Sequence, residues 1–408
     1  MLAQAVILCG GLGTRLGELT ASTPKPMLPV AGRPFLEHLI QETARFGVER
    51  ILLLAGRFGE QVAAAYHGAR RYGADIAVLV EPEPLGTGGA LRFARNALDP
   101  TFMLLNGDSW IDADLTRFMA DWEARRRARP QVKAALLLQH VDDAGRYGSV
   151  TAADGMVVAF AEKTAGASGR PGLINAGVYI IDRSVVDALP ARGAASLEKD
   201  VLPGLASAGA VVAHAAQPGR FFIDIGVPET FAAAERGLQR ARTRPALFLD
   251  RDGTLNVDAG YTHRPGDLQW NSGAREAIRW ANDHGYFVFV VTNQAGVARG
   301  YYDGAAVLAF HRAMQRSLFE IGAHIDAIEW CPHHPEGTVA AFSHACRRRK
   351  PEPGMLLDLM AQWPVDRDRS LMVGDRESDM QAGAAAGVAT ALYTGGSLLE
   401  LVRDRLAG

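Results

Sequence analysis

"AVILCGGLGTRLG", residues 5–17, runs a short apolar stretch straight into a loop dense in glycine. Val, Ile and Leu in an unbroken run of this length predict a buried β-strand. A strand that ends in a glycine-rich turn is how an α/β unit opens. The loop does not close with Gly-Lys-Ser/Thr, so it is not a P-loop. Leu16 stands where the third glycine of a dinucleotide fingerprint would be, which removes that reading too. What remains is a cradle: Gly10, Gly11 and Gly13 let backbone N–H groups approach phosphate oxygens closely.

The same design recurs along the chain. "RILLLAG", "DIAVLVE", "FMLLNGD" and "VKAALLLQH" read as further strands of a largely parallel sheet, with amphipathic stretches between them. The alternation restarts at "PALFLDRDGTLN" and continues in "YFVFVVTNQAG" and "SLMVGDRESD". The predicted fold class is therefore α/β, with two doubly wound Rossmann-like domains. Residues 238–245, basic and ending in proline, mark the boundary near 241–245. The domains are placed at 1–240 and 246–408. In both, the polar residues that carry chemistry sit where strands end, which is where open α/β sheets bind ligands.

Composition narrows the function. At 408 residues the chain has room for two cores. With 48% apolar and 22% charged residues and a net charge of -2, it lacks the electrostatic footprint of a nucleic-acid or anionic-membrane binder. No apolar run approaches the roughly 20 residues of a transmembrane helix, and no signal peptide is expected. Three cysteines do not make a disulfide framework, so a reducing cytoplasm is the expected compartment.

Four segments of the second half carry chemistry, each after an apolar strand. Asp250 and Asp252 flank Arg251, and two carboxylates so placed require a cation or a task. Thr292, Asn293 and Gln294 offer donors suited to a phosphate oxygen. Arg349 and Lys350 supply cations. Asp375, Arg376 and Asp379 form a second acidic cluster. In this order the set reads as phosphomonoester hydrolysis. Asp250 is the nucleophile, and Asp252 protonates the leaving alkoxide and then activates water. Mg²⁺ is held by Asp250, Asp375 and the Asp252 carbonyl, while Asp379 steadies the loop. Lys350 and Thr292 neutralise the phosphoryl group.

This half, residues 246–408, resembles the haloacid-dehalogenase (HAD-like) phosphatases. "DGTLNVDAGYTH", "VVTNQAGVARG", "CPHHPEG" and "RKPEPGM" are similar to the D-glycero-D-manno-heptose 1,7-bisphosphate phosphatases, with histidinol-phosphate phosphatases as near relatives. The resemblance implies a structural zinc held by Cys-x-His and a later Cys-x-Cys. Cys331, His333 and Cys346 match, but Arg348 replaces the last cysteine. His344 is the substitute, giving Cys331, His333, His344 and Cys346 as the expected zinc set.

In the first half, "STPKPMLPV" follows the glycine loop and places Lys25 between two prolines, which stiffen the chain and present the side chain. Thr14, Arg15 and Lys25 complete a triphosphate cradle. Residues 1–235 resemble the sugar-1-phosphate nucleotidyltransferases. That resemblance makes Asp108 and Asp224 the Mg²⁺ ligands and Glu162 and Lys163 the sugar-phosphate contacts. It lines the sugar pocket with Asn175, Gly177, Tyr147 and Gly148, and Asn106, which closes the strand before Asp108, is a further substrate contact. "VEPEPLGTGGAL" becomes the base-reading stretch, with Glu81, Gly86 and Thr87 as contacts. Uridylyl and thymidylyl relatives carry glutamine where Glu81 stands. A carboxylate can accept both N1–H and N2–H of guanine, whereas uracil and thymine offer one donor there. GTP is the expected nucleotide. Removal of a 7-phosphate by the second domain leaves a sugar 1-phosphate, the substrate the first domain needs. The composite reading is GDP-heptose synthesis. The alternatives are a histidinol-phosphate phosphatase joined to a hexose or N-acetylmuramate 1-phosphate nucleotidyltransferase, and a non-catalytic sugar-nucleotide sensor.

Overall fold

The computed structural model describes residues 1–11, 13–146, 148–161 and 170–406. The chain divides into two compact units, residues 1–44 with 48–241 and residues 45–47 with 242–408.

In the first unit the described residues build a ten-stranded sheet. Its centre is parallel: Thr101–Asn106, Gln4–Leu8, Arg50–Ala55 and Ala74–Val80 lie side by side in that order. The first three are apolar runs buried on both faces, as a parallel sheet covered by helices requires, whereas Ala74–Val80 alternates buried and exposed residues. The other half departs from the expected parallel arrangement. Gly172–Asp182 enters antiparallel between Thr101–Asn106 and Ala134–Val141. Val211–Ala215, Met156–Ala161 and Ser149–Ala153 extend the sheet beyond it. "VKAALLLQH" is thus a strand, but one paired antiparallel to the run around "INAGVYI". A run buried on both faces looks the same in sequence whichever way its neighbour points. Phe102, Leu104, Leu136, Tyr179 and Ile181 fill the core between these strands.

The second unit is a five-stranded, all-parallel sheet. Its order is Ala327–Cys331, Phe287–Asn293, Arg244–Leu249, Val365–Gly374 and Ala389–Leu392. The earliest strand in sequence lies at the centre, so the chain crosses one way from it and later the other. Its C-terminal edge is therefore a topological switch point, where a crevice forms. Leu247, Leu249, Val288, Val290 and Val373 are fully buried beneath the covering helices. Residues 238–245 form no loop. Helix Pro228–Arg242 ends one residue before strand Arg244–Leu249 begins.

Candidate active sites

In the first unit, the ends of four parallel strands meet at one edge. Cys9 N–H donates to Leu54 O, Gly107 N–H to Leu8 O and Glu81 N–H to Ala55 O, at 2.7–2.9 Å. The opening glycine loop, Asp108 and Glu81 are thereby brought together. A Cβ on Gly10 would lie 2.9 Å from the Glu81 carboxylate, so a side chain there would push that carboxylate aside. Burial pushes the Glu81 carboxyl up, and the Leu85 N–H, 3.3 Å away, partly offsets it.

Asp108 and Asp224 are 116 positions apart in sequence, and a small two-stranded sheet joins them. Ser109–Ile111 pairs antiparallel with Phe222–Asp224, setting Ser109 opposite Asp224. Ile225 N–H then donates to Asp108 O at 2.9 Å. Lys25 Nζ donates to Asp108 Oδ2 at 2.6 Å. The place a Gly226 side chain would occupy lies 3.2 Å from Lys25 Nζ and 3.4 Å from Arg15 Nη2. Burial and the Asp108 carboxylate push the Asp224 carboxyl up, against the pull of Lys25, the Gly226 N–H and Arg15. Lys25 is buried rather than projecting. Its stiff proline frame aims it inward at the carboxylate instead of out toward solvent.

The other predicted contacts fall into two groups. Gly86 and Thr87 open the helix Gly86–Phe93. Thr87 does not stand free: its hydroxyl donates to Glu198 Oε2 at 2.7 Å and accepts from Leu197 N–H at 2.8 Å. Asn175 Nδ2 donates to Tyr179 Oη at 2.8 Å, and Tyr179 donates on to Glu198 Oε1 at 3.1 Å. Asn106 Oδ1, beside Gly177, is a buried acceptor with no partner among the described residues. Gly148 lies next to strand Ser149–Ala153, while Tyr147, Glu162 and Lys163 lie outside the described residues. Glu198 and Tyr179 were not anticipated. Glu198 sits 111 positions from Thr87, and no local pattern announces such a pairing.

In the second unit, Asp250 follows Leu249 at the switch point, its N–H bonded to Val373 O at 2.9 Å. One carboxylate oxygen from each of Asp250, Asp375 and Asp379 lies within 4.8 Å of the others. A Cβ on Gly253, which has φ +88, would collide with the Asp375 carboxylate. The buried Lys350 Nζ reaches Asp250 at 2.5 Å, Asp379 at 2.6 Å and Val291 O at 2.8 Å. Burial lowers the Lys350 ammonium, but Asp250 and Asp379 more than offset it and hold it above its ordinary value. Burial, Asp379 and Asp252 push Asp250 up, against Lys350. Three clustered carboxylates with one buried ammonium are short of positive charge. An all-oxygen donor set of this kind fits Mg²⁺.

Asp252 is outside that cluster; three other side chains hold its carboxylate through four hydrogen bonds. Arg251 donates to both oxygens at 3.0 and 2.7 Å, Gln294 Nε2 donates at 2.8 Å and Asn256 Nδ2 at 3.1 Å. Arg251 is fully buried against Phe310. It reaches the imidazole of His311, whose protonation burial and Arg251 strongly disfavour. Thr292 is buried and accepts from Gln294 at 2.9 Å. Asn293 clamps the Lys350 backbone, accepting from its N–H at 3.1 Å and donating to its C=O at 3.0 Å. Above the carboxylates opens a cavity of about 660 Å³ whose walls include Tyr261, Arg299, Arg349 and Arg376. The sequence pointed to Arg349 and Arg376 but not to Arg299, Tyr261 or the clamp on Asp252.

The expected zinc set is gathered in part. Ligand atoms of Cys331, His333 and Cys346 lie within 4.8 Å of one another, and His344 is not in that group. The His344 ring packs against His333, centroids 4.3 Å apart. Arg348, where a fourth cysteine was sought, turns to the Glu329 and Asp358 carboxylates.

The nucleotidyl transferase family model matches residues 4–241, and the HAD-hydrolase-like model matches residues 347–402. HddC from Yersinia pseudotuberculosis is 31% identical and superposes with a TM-score of 0.50, covering 58% of this chain and all of its own. A second structure of that protein holds GMP-PN. D-glycero-beta-D-manno-heptose-1,7-bisphosphate 7-phosphatase of Rhodopseudomonas palustris is 46% identical over 166 residues, 41% of this chain and 92% of its own. The Escherichia coli K12 protein of the same name is 44% identical over 150 residues, 37% of this chain and 78% of its own.

Proposed function

The chain belongs to the nucleotidyl transferase family through residues 4–241 and, through its second half, to the heptose bisphosphate phosphatases; from that premise we propose that it makes a GDP-heptose in two steps. The second unit removes the 7-phosphate of D-glycero-D-manno-heptose 1,7-bisphosphate. The first transfers GMP from GTP to the resulting 1-phosphate, yielding GDP-D-glycero-α-D-manno-heptose. The observation that carries this reading is one chain with two separate phosphate sites, the product of one being the substrate of the other.

In the phosphatase step, Asp250 attacks phosphorus and the bond to the sugar oxygen breaks. Asp252, oriented by Arg251, Gln294 and Asn256, gives its proton to the leaving alkoxide. Asp252 then takes a proton from water, which attacks the aspartyl-phosphate and releases phosphate. Lys350 holds the nucleophile and, with Thr292, faces the charge that gathers on the phosphoryl oxygens. Arg349 and Arg376, with Arg299, present cations to the remaining phosphate.

In the transferase step, an oxygen of the sugar 1-phosphate attacks the α-phosphorus of GTP and pyrophosphate leaves. Arg15 and Lys25 face the charge that builds there, and the N–H groups of Gly10, Gly11, Gly13 and Thr14 line the cradle. Glu162 and Lys163 position the incoming sugar phosphate. Mg²⁺, held by Asp108 and Asp224 in one unit and by Asp250, Asp375 and the Asp252 carbonyl in the other, supplies Lewis-acid charge neutralisation when bound. Asp379 belongs beside the second of these sites.

Glu81 is the base reader. The approach of its carboxylate to Gly10 supports this, as does the guanine nucleotide held by HddC. A bidentate pair of this kind is worth about 1–3 kcal/mol of discrimination. Glu81→Gln is therefore expected to lower kcat/KM for GTP by about 5- to 150-fold and to narrow its lead over UTP. Unchanged GTP preference in a four-nucleotide competition would remove Glu81 from this role.

We further propose that Cys331, His333, His344 and Cys346 hold a structural zinc, His344 closing the set through a ring rotation. Metal analysis of the purified protein is expected to give one zinc per chain, and Cys331→Ser to lose it. A His344→Ala protein that keeps full zinc would show that the fourth ligand lies elsewhere.

A further inference from the structure

Helix Gly304–Phe319 turns Val307, Phe310, His311, Met314 and Leu318 to the core. That spacing is the apolar face of a helix, and four of the five positions hold the apolar residues the pattern asks for. The fifth holds an imidazole that is only 5% exposed. A buried polar ring costs stability unless its nitrogens find partners, so packing alone does not account for His311 in this stripe.

Its partner is Arg251. Nη1 of the guanidinium lies 3.3 Å from His311 Nε2. A guanidinium has donors only, so this contact is a hydrogen bond when Nε2 offers its lone pair and the ring proton sits on Nδ1. Burial and the Arg251 charge favour that neutral ring. Nη1 meets no other acceptor among the described residues. The rest of the guanidinium is already engaged. Nε and Nη2 fork onto the Asp252 carboxylate at 3.0 and 2.7 Å, and Nη2 also donates to Thr262 O at 2.7 Å and Gln294 Oε1 at 3.1 Å. Phe310, beside His311 on the helix, covers the guanidinium with its ring centroid 4.6 Å from Cζ. Because the guanidinium is rigid and planar, an acceptor at Nη1 fixes the plane in which the fork on Asp252 lies.

His311 does not line the cavity above the carboxylates. We propose that His311 is a positioning residue for the acid–base step: its Nε2 lone pair locks the Arg251 guanidinium, which in turn aims the Asp252 carboxyl at the sugar oxygen that leaves. The proposal rests on the phosphatase reading, in which the proton passes from Asp252 to that oxygen as its bond to phosphorus breaks. A packing role and a positioning role differ in what they cost. Loose packing slows every substrate alike. A misaimed Asp252 slows the substrates whose leaving oxygen needs a proton, as a sugar alkoxide does and acetate does not. The ratio kcat/KM compares the first transition state with free enzyme and substrate, so the later attack of water on the aspartyl-phosphate drops out of the comparison.

The test compares the full-length protein with His311→Leu, His311→Met and His311→Gln. Leucine and methionine fill the space without the acceptor, and glutamine returns an acceptor oxygen. Each protein is assayed on both anomers of heptose 1,7-bisphosphate and on fructose 1,6-bisphosphate. Acetyl phosphate and p-nitrophenyl phosphate, whose leaving groups depart as anions, complete the set. His311→Leu is expected to lower kcat/KM on the sugar bisphosphate by about 10- to 100-fold. On acetyl phosphate and p-nitrophenyl phosphate it should stay within about threefold of the parent. His311→Met should follow His311→Leu, so either one decides the matter if the other fails to fold. His311→Gln should remain within about threefold of the parent on every substrate. Equal losses on sugar and acetyl phosphates, apolar variants indistinguishable from the parent, or a glutamine variant as impaired as leucine would overturn the proposal. If the parent hydrolyses fructose 1,6-bisphosphate but neither heptose anomer, the heptose reading fails while the leaving-group contrast still decides the role of His311. A parent that hydrolyses no sugar phosphate overturns both.

Discussion

Lys25 and Lys350 are both buried ammonium groups aimed at carboxylates, but their settings differ. Lys25 pairs with Asp108, whose side chain is 34% exposed. Lys350 bridges Asp250 and Asp379, whose side chains are 9% and 2% exposed. In the proposed mechanism each lysine faces developing phosphoryl charge, so replacing either by methionine is expected to lower its own activity by about 10²- to 10³-fold. The stability consequences separate them. Lys350→Met leaves two buried carboxylates uncompensated, which costs about 3–5 kcal/mol. Lys25→Met leaves a carboxylate that water can still reach, so its unfolding midpoint should fall less. Denaturant titration beside the two activity assays checks both statements. Both lysines were legible because each stands beside prolines in a short, chemically distinctive string. Arg251 was not. Its importance lies in partners at Gln294 and His311, many residues away, and a buried arginine in a polar motif looks like any other.

At the scale of elements, what brings the transferase carboxylates together is the pairing of Ser109–Ile111 with Phe222–Asp224. Gly226 follows that pair, its N–H bonded to Asp224 Oδ1 at 2.5 Å, and a Cβ there would crowd Asp224 and Lys25 together. Gly226→Ala is accordingly expected to abolish most nucleotidyl transfer while phosphate release by the second unit continues at the parental rate. Parental transfer by Gly226→Ala would show that the carboxylate pair tolerates displacement. The four central parallel strands of the first sheet and three of the five in the second were readable from apolar runs leading into polar or glycine-rich loops, whereas Ala327–Cys331 and Ala389–Leu392 were not. The pairing of residues 109–111 with 222–224 was not, since three-residue strands carry no periodicity to detect. Gly172–Asp182 was read only as a sugar-pocket segment, because a strand buried on both faces gives no signal of direction.

For the whole molecule, the proposed mechanism gives each unit its own nucleophile or cradle, its own carboxylates and its own lysine. We expect the two activities to be separable by single substitutions. Asp108→Asn should retain phosphatase activity and lose transfer, and Asp250→Asn should do the reverse. Mixed together, the two variants should restore conversion of bisphosphate to sugar nucleotide, because a heptose 1-phosphate released by one molecule can be used by another. Failure of the mixture, with each partner active on its own substrate, would mean that the intermediate does not pass through solution. The two-part division was visible in the restart of the strand pattern. The choice of partner chemistries rested on loops at strand ends, where the sequence is least constrained by packing.

The most direct measurement is a single reaction. The intact protein is incubated with Mg²⁺, an equimolar mixture of four nucleoside triphosphates and D-glycero-D-manno-heptose 1,7-bisphosphate, with each anomer supplied separately because the phosphatase relatives carry the beta form in their names. Products are followed by mass spectrometry. The account predicts a GDP-heptose peak, with one phosphate and one pyrophosphate released for each sugar nucleotide formed. Release of phosphate with no sugar nucleotide from either anomer, or a sugar nucleotide carrying another base, would contradict it.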